Sequence, residues 1–259
     1  MNIKFLKSIP SSSNKNLVIV RAGTQSLHPK YFYDSHDLAT WDRMVLTYSE
    51  PSELDLNNSE FVVKGGLSKW TDLTCLLDID FFNAMGYDYV MLADEDVIPS
   101  NSNTINILFQ LAKKYGFEIC QPALTHNSYF AWLITLHSPA FHVRFTNFVE
   151  CMVPVFSLNS LKIMREELSM AVSGYGLDVV FSELFDLTKN PLGIIDDATF
   201  CHTKPIDPNG GSFYLYLKDN GVDPLLELNQ FMSRFKLSRK DFITLGGVSK
   251  SEPIFSHKF

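Results

Sequence analysis

The sequence predicts an α/β fold: a single domain with a mixed, mostly parallel sheet flanked by helices. Three observations lead there. Short apolar, often β-branched runs alternate with helix-like segments from residue 17 to residue 115, the pattern of a parallel sheet with helical crossovers. The 259 residues are about as many as one hydrophobic core organises. A composition of 46% hydrophobic and 20% charged residues, with 21 Phe and 10 Tyr, belongs to a chain that folds by itself and not to a disordered one.

Leu17-Val18-Ile19-Val20 stands between a Ser/Asn-rich lead and Arg21-Ala22-Gly23 and reads as a first buried strand ending in a loop. Further strands are expected at 42–48 and 60–63, separated by polar turn material from Glu50 to Ser59. Lys69 to Met85 reads as a helix, with Trp70, Leu73, Leu76, Leu77 and Phe81 at helical spacings and Gly86 as its stop. Tyr87 to Ala93 is the next strand, Asp94-Glu95-Asp96 follow it, and Thr104 to Tyr115 is again helical. Ligands of such sheets bind at the carboxyl ends of the strands, which is where the acidic triplet falls. Strand-like stretches at 118–122, 129–136 and 148–156 predict a second half continuous with the first.

A net charge of −7 excludes a uniformly basic nucleic-acid binder. Cys75, Cys120, Cys151 and Cys201 form no C-x-x-C pair, which argues against structural zinc and fits a reducing cytoplasm. The first ten residues lack a long apolar segment, and no run of about 18 apolar residues occurs, so neither a secretory signal nor a membrane span is expected. From Phe231 to Phe259 the chain turns basic, net +4 against −11 for the rest. Its Arg234, Lys236, Arg239, Lys240, Lys250 and Lys258 are interleaved with apolar residues. That suits either peripheral contact with an anionic membrane face or a helix docked on the core with a solvated basic side.

Three constellations carry chemistry. Two carboxylates one residue apart after a strand, Asp94 and Asp96, can converge on a divalent cation that also holds phosphate oxygens, because Mg²⁺ and Mn²⁺ prefer oxygen ligands. Ser173-Gly174-Tyr175-Gly176-Leu177-Asp178 offers close backbone approach, a ring to cover a sugar face and a carboxylate to accept a proton; the other reading is a tight turn with Asp178 capping the helix that follows. The run from Gly193 to His202 ends in an imidazole that can supply nitrogen to the same metal or contact a diphosphate, with Lys204 as a further phosphate partner.

These motifs stand in the order found in a plant and bacterial family, domain of unknown function seven-zero-seven, which the chain resembles over roughly residues 60 to 206. The matching stretches are Tyr87-Asp88-Tyr89-Val90 with Asp94-Glu95-Asp96, Glu118-Ile119-Cys120-Gln121-Pro122, Asn147 to Ser157, Gly174-Tyr175-Gly176-Leu177-Asp178, and Ile195-Asp196 to His202 with Pro205. The family is regarded as GT-A-like glycosyltransferases with a Rossmann-like sheet. The resemblance implies a metal-dependent, inverting hexosyltransferase that uses Mn²⁺ (or Mg²⁺) and a nucleotide-diphosphate sugar, UDP-sugar first among them. The acceptor it implies is an oligosaccharide or glycolipid, such as a bacterial capsule or lipopolysaccharide chain.

By the same resemblance Asp178 is the base, and Asp94, Asp96 and His202 hold the metal. Arg21, Gly23 and Lys64 sit after early strands, where a nucleotide would lie, and with Asp94, Glu95 and Lys204 they are expected to face the nucleotide sugar. Gln121, Trp132, Glu150, Gly174 and Tyr175 face the acceptor. This sequence departs from the family pattern at Glu95, where Asp is usual, and at Tyr175, where Trp is usual. Glu95 reads as the most replaceable of the triplet. The domain spans 1–230, with a nucleotide-sugar half at about 15–116 and an acceptor half at about 117–230, followed by the basic tail 231–259. A retaining transferase, a nucleotidyltransferase and a non-catalytic glycan-binding protein are the rival readings.

Overall fold

The computed structural model describes residues 3–33, 38–189, 192–207, 210–237 and 241–250. The elements are β1 (Lys4–Lys7), β2 (Asn16–Ala22), α1 (Pro29–Phe32), β3 (Asp42–Thr47), α2 (Glu53–Asn58), β4 (Phe61–Lys64), α3 (Lys69–Asp78), α4 (Phe81–Met85), β5 (Tyr89–Ala93) and β6 (Val97–Pro99). They continue with α5 (Thr104–Tyr115), β7 (Ile119–Leu124), a 3₁₀ turn at Leu133–Thr135, β8 (Phe141–Thr146), β9 (Val155–Ser157), α6 (Leu158–Ile163), α7 (Arg165–Met170), α8 (Leu177–Leu184), β10 (Leu192–His202), α9 (Ser212–Asp219), α10 (Pro224–Arg234) and β11 (Thr244–Ser249).

One sheet joins these strands in the order β1-β4-β3-β2-β5-β9-β7-β10-β8-β11, with β6 added to the end of β10. The expected class holds: a mixed α/β sheet flanked by helices. Parallel pairing is confined to β4-β3-β2-β5 and to β7-β10. The chain from β7 to β9 has no α-helix to serve as a crossover, and without one neighbouring strands meet antiparallel.

Alternation within the strands builds two cores. Leu17 and Ile19 of β2 face Trp70, Leu73 and Leu76 of α3 and Phe181 of α8 on one side of the sheet. Val18 and Val20 face Phe32 of α1 and Leu108 of α5 on the other. Strands apolar on both faces are what a doubly covered sheet requires.

The predicted helix 69–85 is broken in two. Ser68 caps α3, accepting from Thr71 N while Thr71 returns the bond, but Asp80 takes φ +55 between α3 and α4, a conformation that Asp tolerates better than most residues. The expected strand at 129–136 is a loop with one 3₁₀ turn, because the Tyr129-Phe130-Ala131-Trp132 run lies at the surface; the strand comes later, as β8. Of 148–156 only the end is strand, since Pro154 offers no donor and the preceding residues hydrogen-bond by their carbonyls to β5 and the residue after it (Leu92 N to Pro154 O 2.9 Å, Asp94 N to Met152 O 3.1 Å).

The line drawn after residue 230 runs through α10, whose Phe231 is buried in the first core. Farther on, β11 pairs antiparallel with β8. Residues 231–237 and 241–250 are therefore joined to the domain, while Arg239, Lys240 and Lys258 lie outside the described residues. No helix among the described residues is long and apolar enough to cross a membrane.

Candidate active site

β5 is buried along its whole length and runs parallel to β2, so Asp94 leaves the sheet at the same edge as Gly23. The chain then doubles back as β6, which pairs antiparallel with the last residues of β10 and sets Val97 opposite His202. Thr203 fastens the turn by donating N–H (3.0 Å) and Oγ1–H (2.9 Å) to the Asp96 carbonyl. This register brings His202 Nε2 to 3.6 Å from Asp96 Oδ1, although the two residues are far apart in sequence.

The Tyr129 carbonyl, which can only accept, lies 2.7 Å from His202 Nδ1. Nδ1 therefore carries the proton and Nε2 presents its lone pair toward Asp96. A lone pair facing a carboxylate oxygen calls for a proton or a cation between them. Burial pulls the His202 pKa down, but the bond and charge of Asp96 outweigh it and the net shift is upward. Burial works to raise Asp96, yet His202 and Lys204 hold it below the ordinary carboxylate range.

One carboxylate oxygen and one imidazole nitrogen at this spacing fit Mn²⁺ or Mg²⁺. Among the described residues no three His, Cys, Asp or Glu side chains gather around a point.

Asp94 is differently employed. Lys69, buried at the start of α3, donates to Asp94 Oδ1 (2.6 Å) and to the Cys151 carbonyl (2.7 Å). Desolvation still holds the Asp94 carboxyl above its ordinary range, against the pull of Lys69 and with the push of Asp96.

Glu95 turns the opposite way and ties three segments together. Its Oε2 accepts from Gly23 N (2.9 Å) and Tyr48 Oη (2.8 Å), and its Oε1 lies 3.3 Å from Lys204 Nζ. The middle residue of the triplet is thus the one most engaged with the protein, contrary to its expected replaceability. Arg21 is committed to Asp72 (2.8 Å) and to the carbonyls of Gly66 and Leu67. Lys64 is paired with the exposed Glu50 (2.5 Å) and is not brought to the triplet.

The glycine motif is held from below by a residue the sequence did not single out. Glu227 of α10, itself buried, accepts the backbone N–H groups of Val172 (2.9 Å), Ser173 (2.9 Å) and Gly174 (2.8 Å). Gly174 has φ +86, and a Cβ there would lie 2.4 Å from Trp70 Nε1, so both its backbone and its neighbour demand glycine. Asp178 falls in the first turn of α8 and accepts from Val179 N (2.9 Å). Desolvation, opposed by these backbone donors, pushes its carboxyl up to about 6. Tyr175 directs its hydroxyl to Tyr214 of α9 (2.7 Å).

Gln121 is buried and its Oε1 receives the Glu150 backbone N–H (2.5 Å), so it positions Glu150. Burial pushes the Glu150 carboxyl up to about 7, with Asp178 adding to the rise and His202 opposing it. Trp132, at the surface, meets Phe242 and Phe148 edge-on at 4.8 and 5.8 Å between ring centroids.

The family model described as "protein of unknown function (DUF707)" matches residues 67–210, more than half of the chain. The chain belongs to the DUF707 family. No curated protein matches it. Among solved structures it is similar to a putative nucleotide-diphospho-sugar transferase from Desulfovibrio desulfuricans G20, at 12% identity and a TM-score of 0.43 over 84% of this chain and 98% of that one. It is also similar to GalNAc-T7 with UDP, GalNAc and Mn²⁺ (10% identity, TM-score 0.47, 84% of this chain and 50% of that one) and to A197 from STIV (14%, 0.37, 74% and 86%).

In this DUF707 chain, sequence reasoning missed Lys69, Glu227 and the ion pair of Arg144 with Asp196. Lys69 follows a capping Ser and stands beside Trp70 at the start of α3, which is a faint local signal. Glu227 and Arg144 carry none, because each acts on a segment that only the fold brings near.

Proposed function

We infer that the chain is a metal-dependent, inverting GT-A-type glycosyltransferase that moves a sugar from a nucleoside diphosphate to a hydroxyl of an oligosaccharide or glycolipid. The observation that carries this reading is Asp96 and His202, two donors with lone pairs facing across 3.6 Å at the carboxyl edge of the parallel strands. A divalent cation bound there supplies a Lewis acid for the departing diphosphate. Asp96 and His202 Nε2 hold that position, and Lys69 fixes Asp94 beside it. Lys204 adds positive charge toward the phosphates. Asp178, with its pKa held near the working pH, takes the proton of the acceptor hydroxyl. UDP-sugars with Mn²⁺ are the first donors to test, and a bacterial capsule or lipopolysaccharide chain is the acceptor class we propose.

Thermal shift with a panel of nucleotide sugars, with and without Mn²⁺, tests the reading. The expected result is stabilisation by at least one nucleotide sugar only when Mn²⁺ is present, lost in Asp96→Asn and His202→Ala. Release of nucleoside diphosphate with an inverted anomeric product supports transfer as written; release of pyrophosphate overturns it.

A further inference from the structure

Glu150 is 8% exposed, and among the described residues no group hydrogen-bonds to its Oε2. Its place is fixed firmly. Gln121 of β7 holds its N–H, and the carbonyls of the next two residues are bonded to Lys69 Nζ (Cys151 O, 2.7 Å) and to Asp94 N (Met152 O, 3.1 Å). The segment is thereby fastened to the triplet.

The charged groups within electrostatic reach of this carboxyl are Asp178 from α8, His202 from β10, Asp94 from the end of β5 and Lys69 from α3. Two of the four are carboxylates. Of the other two, Lys69 is bonded to Asp94 and to a carbonyl, and His202 faces Asp96. An ionised carboxylate buried without a partner is costly, whereas the neutral acid needs only an acceptor for its O–H. Among the described residues none accepts at Oε2, which points to an acceptor brought by a ligand.

We propose that Glu150 is held as the neutral acid and donates its carboxyl proton in a hydrogen bond to an oxygen of the bound sugar other than the reacting hydroxyl, making it a specificity-determining contact between the metal end of the site and Asp178. No proton is transferred by Glu150; the proton of the reacting hydroxyl goes to Asp178. The sugar in this statement rests on the transferase reading above, while the neutral acid does not.

Two measurements on the full chain test it. Carbon-13 NMR of protein labelled at the glutamate carboxyl, with Glu150 assigned by the signal missing in Glu150→Gln, reads the protonation state without any ligand. The expected signal titrates with its midpoint near about pH 7; titration with the other glutamates near about pH 4.3 overturns the proposal.

Turnover of UDP-glucose, UDP-galactose and UDP-N-acetylglucosamine with Mn²⁺, to water or to an added glycan, is then compared in Glu150→Gln and Glu150→Leu. Gln keeps a neutral donor, and its kcat/KM is expected within about threefold of the parent, with Leu at least about tenfold lower. Gln as impaired as Leu, or Leu as active as the parent, overturns the contact. Absence of binding of all three nucleotide sugars to the parent protein counts against the transferase reading, and the NMR titration still decides whether Glu150 is neutral.

Discussion

His202 shows how one backbone carbonyl sets the chemistry of a side chain. Because Nδ1–H donates to Tyr129 O, Nε2 is the nitrogen left to take up a proton or a cation. Its raised pKa means that metal binding releases a proton. Affinity for Mn²⁺ with UDP should therefore weaken as pH falls through the imidazole range, which calorimetry at several pH values measures. The role proposed for Asp178 makes the opposite demand: a base must be ionised, and burial pushes its carboxyl up to about 6. The rate is expected to rise through pH 6 as Asp178 ionises and to fall again above about pH 7 as Glu150 loses the proton it donates. Asp178→Asn should lower kcat by at least about 100-fold with Mn²⁺–UDP affinity unchanged; full turnover in that variant removes the assignment. The same elevation costs stability at high pH, since the folded carboxyl holds its proton more tightly than the unfolded one. That cost is absent below the unfolded pKa and complete above about 6.

Helix α10 does at the scale of an element what Tyr129 does for one residue. Its Glu227 gathers three consecutive N–H groups and so presents the loop that ends in Asp178. Glu227→Ala leaves those donors buried and unmatched, and a loss of roughly 3 kcal/mol in denaturant unfolding is expected. Glu227→Gln, which retains one acceptor oxygen, should lose less. A loss in Ala of under about 0.5 kcal/mol, the size of an ordinary surface substitution, means that the loop does not depend on α10. β6 has a comparable role with only three residues: its pairing with β10 closes the distance between Asp96 and His202.

Across the whole molecule, the aromatic loop, the sheet and the His202 imidazole are joined by one buried pair. Arg144 of β8 meets both oxygens of Asp196 of β10 (2.8 and 2.9 Å). It also donates to the carbonyls of Ile134 (2.8 Å) and Leu136 (2.7 Å), and Asp196 accepts from Ser138 N (2.7 Å). The loop so anchored carries Tyr129. Arg144→Leu strands a buried carboxylate, and about 3–5 kcal/mol of stability should go with it, read as a drop in Tm of several degrees. Mn²⁺ affinity should fall as well, because the loop that holds His202 loses its anchor.

What the sequence determined by itself is local. Apolar runs of strand length at 17–20 and 89–93, the capping Ser68 and the stopping Gly86 fix their elements through contacts within a few residues, and the acidic triplet after β5 could be placed at a ligand-facing edge from that pattern alone. The family stretch from Asn147 to Ser157 was legible as well, though not its conformation, since most of it is loop. The tertiary structure alone decided which carboxylates are occupied. Asp94 received Lys69, Glu95 received Gly23 and Tyr48, and Glu150 received nothing at Oε2 among the described residues. The physical reason is that a buried charge takes its state from partners set around it in space, and those partners come from α3, β2, β3 and β10, far apart along the chain. Sequence gives the residue types available for catalysis; the packing of distant elements decides which of them keep a free lone pair or a proton.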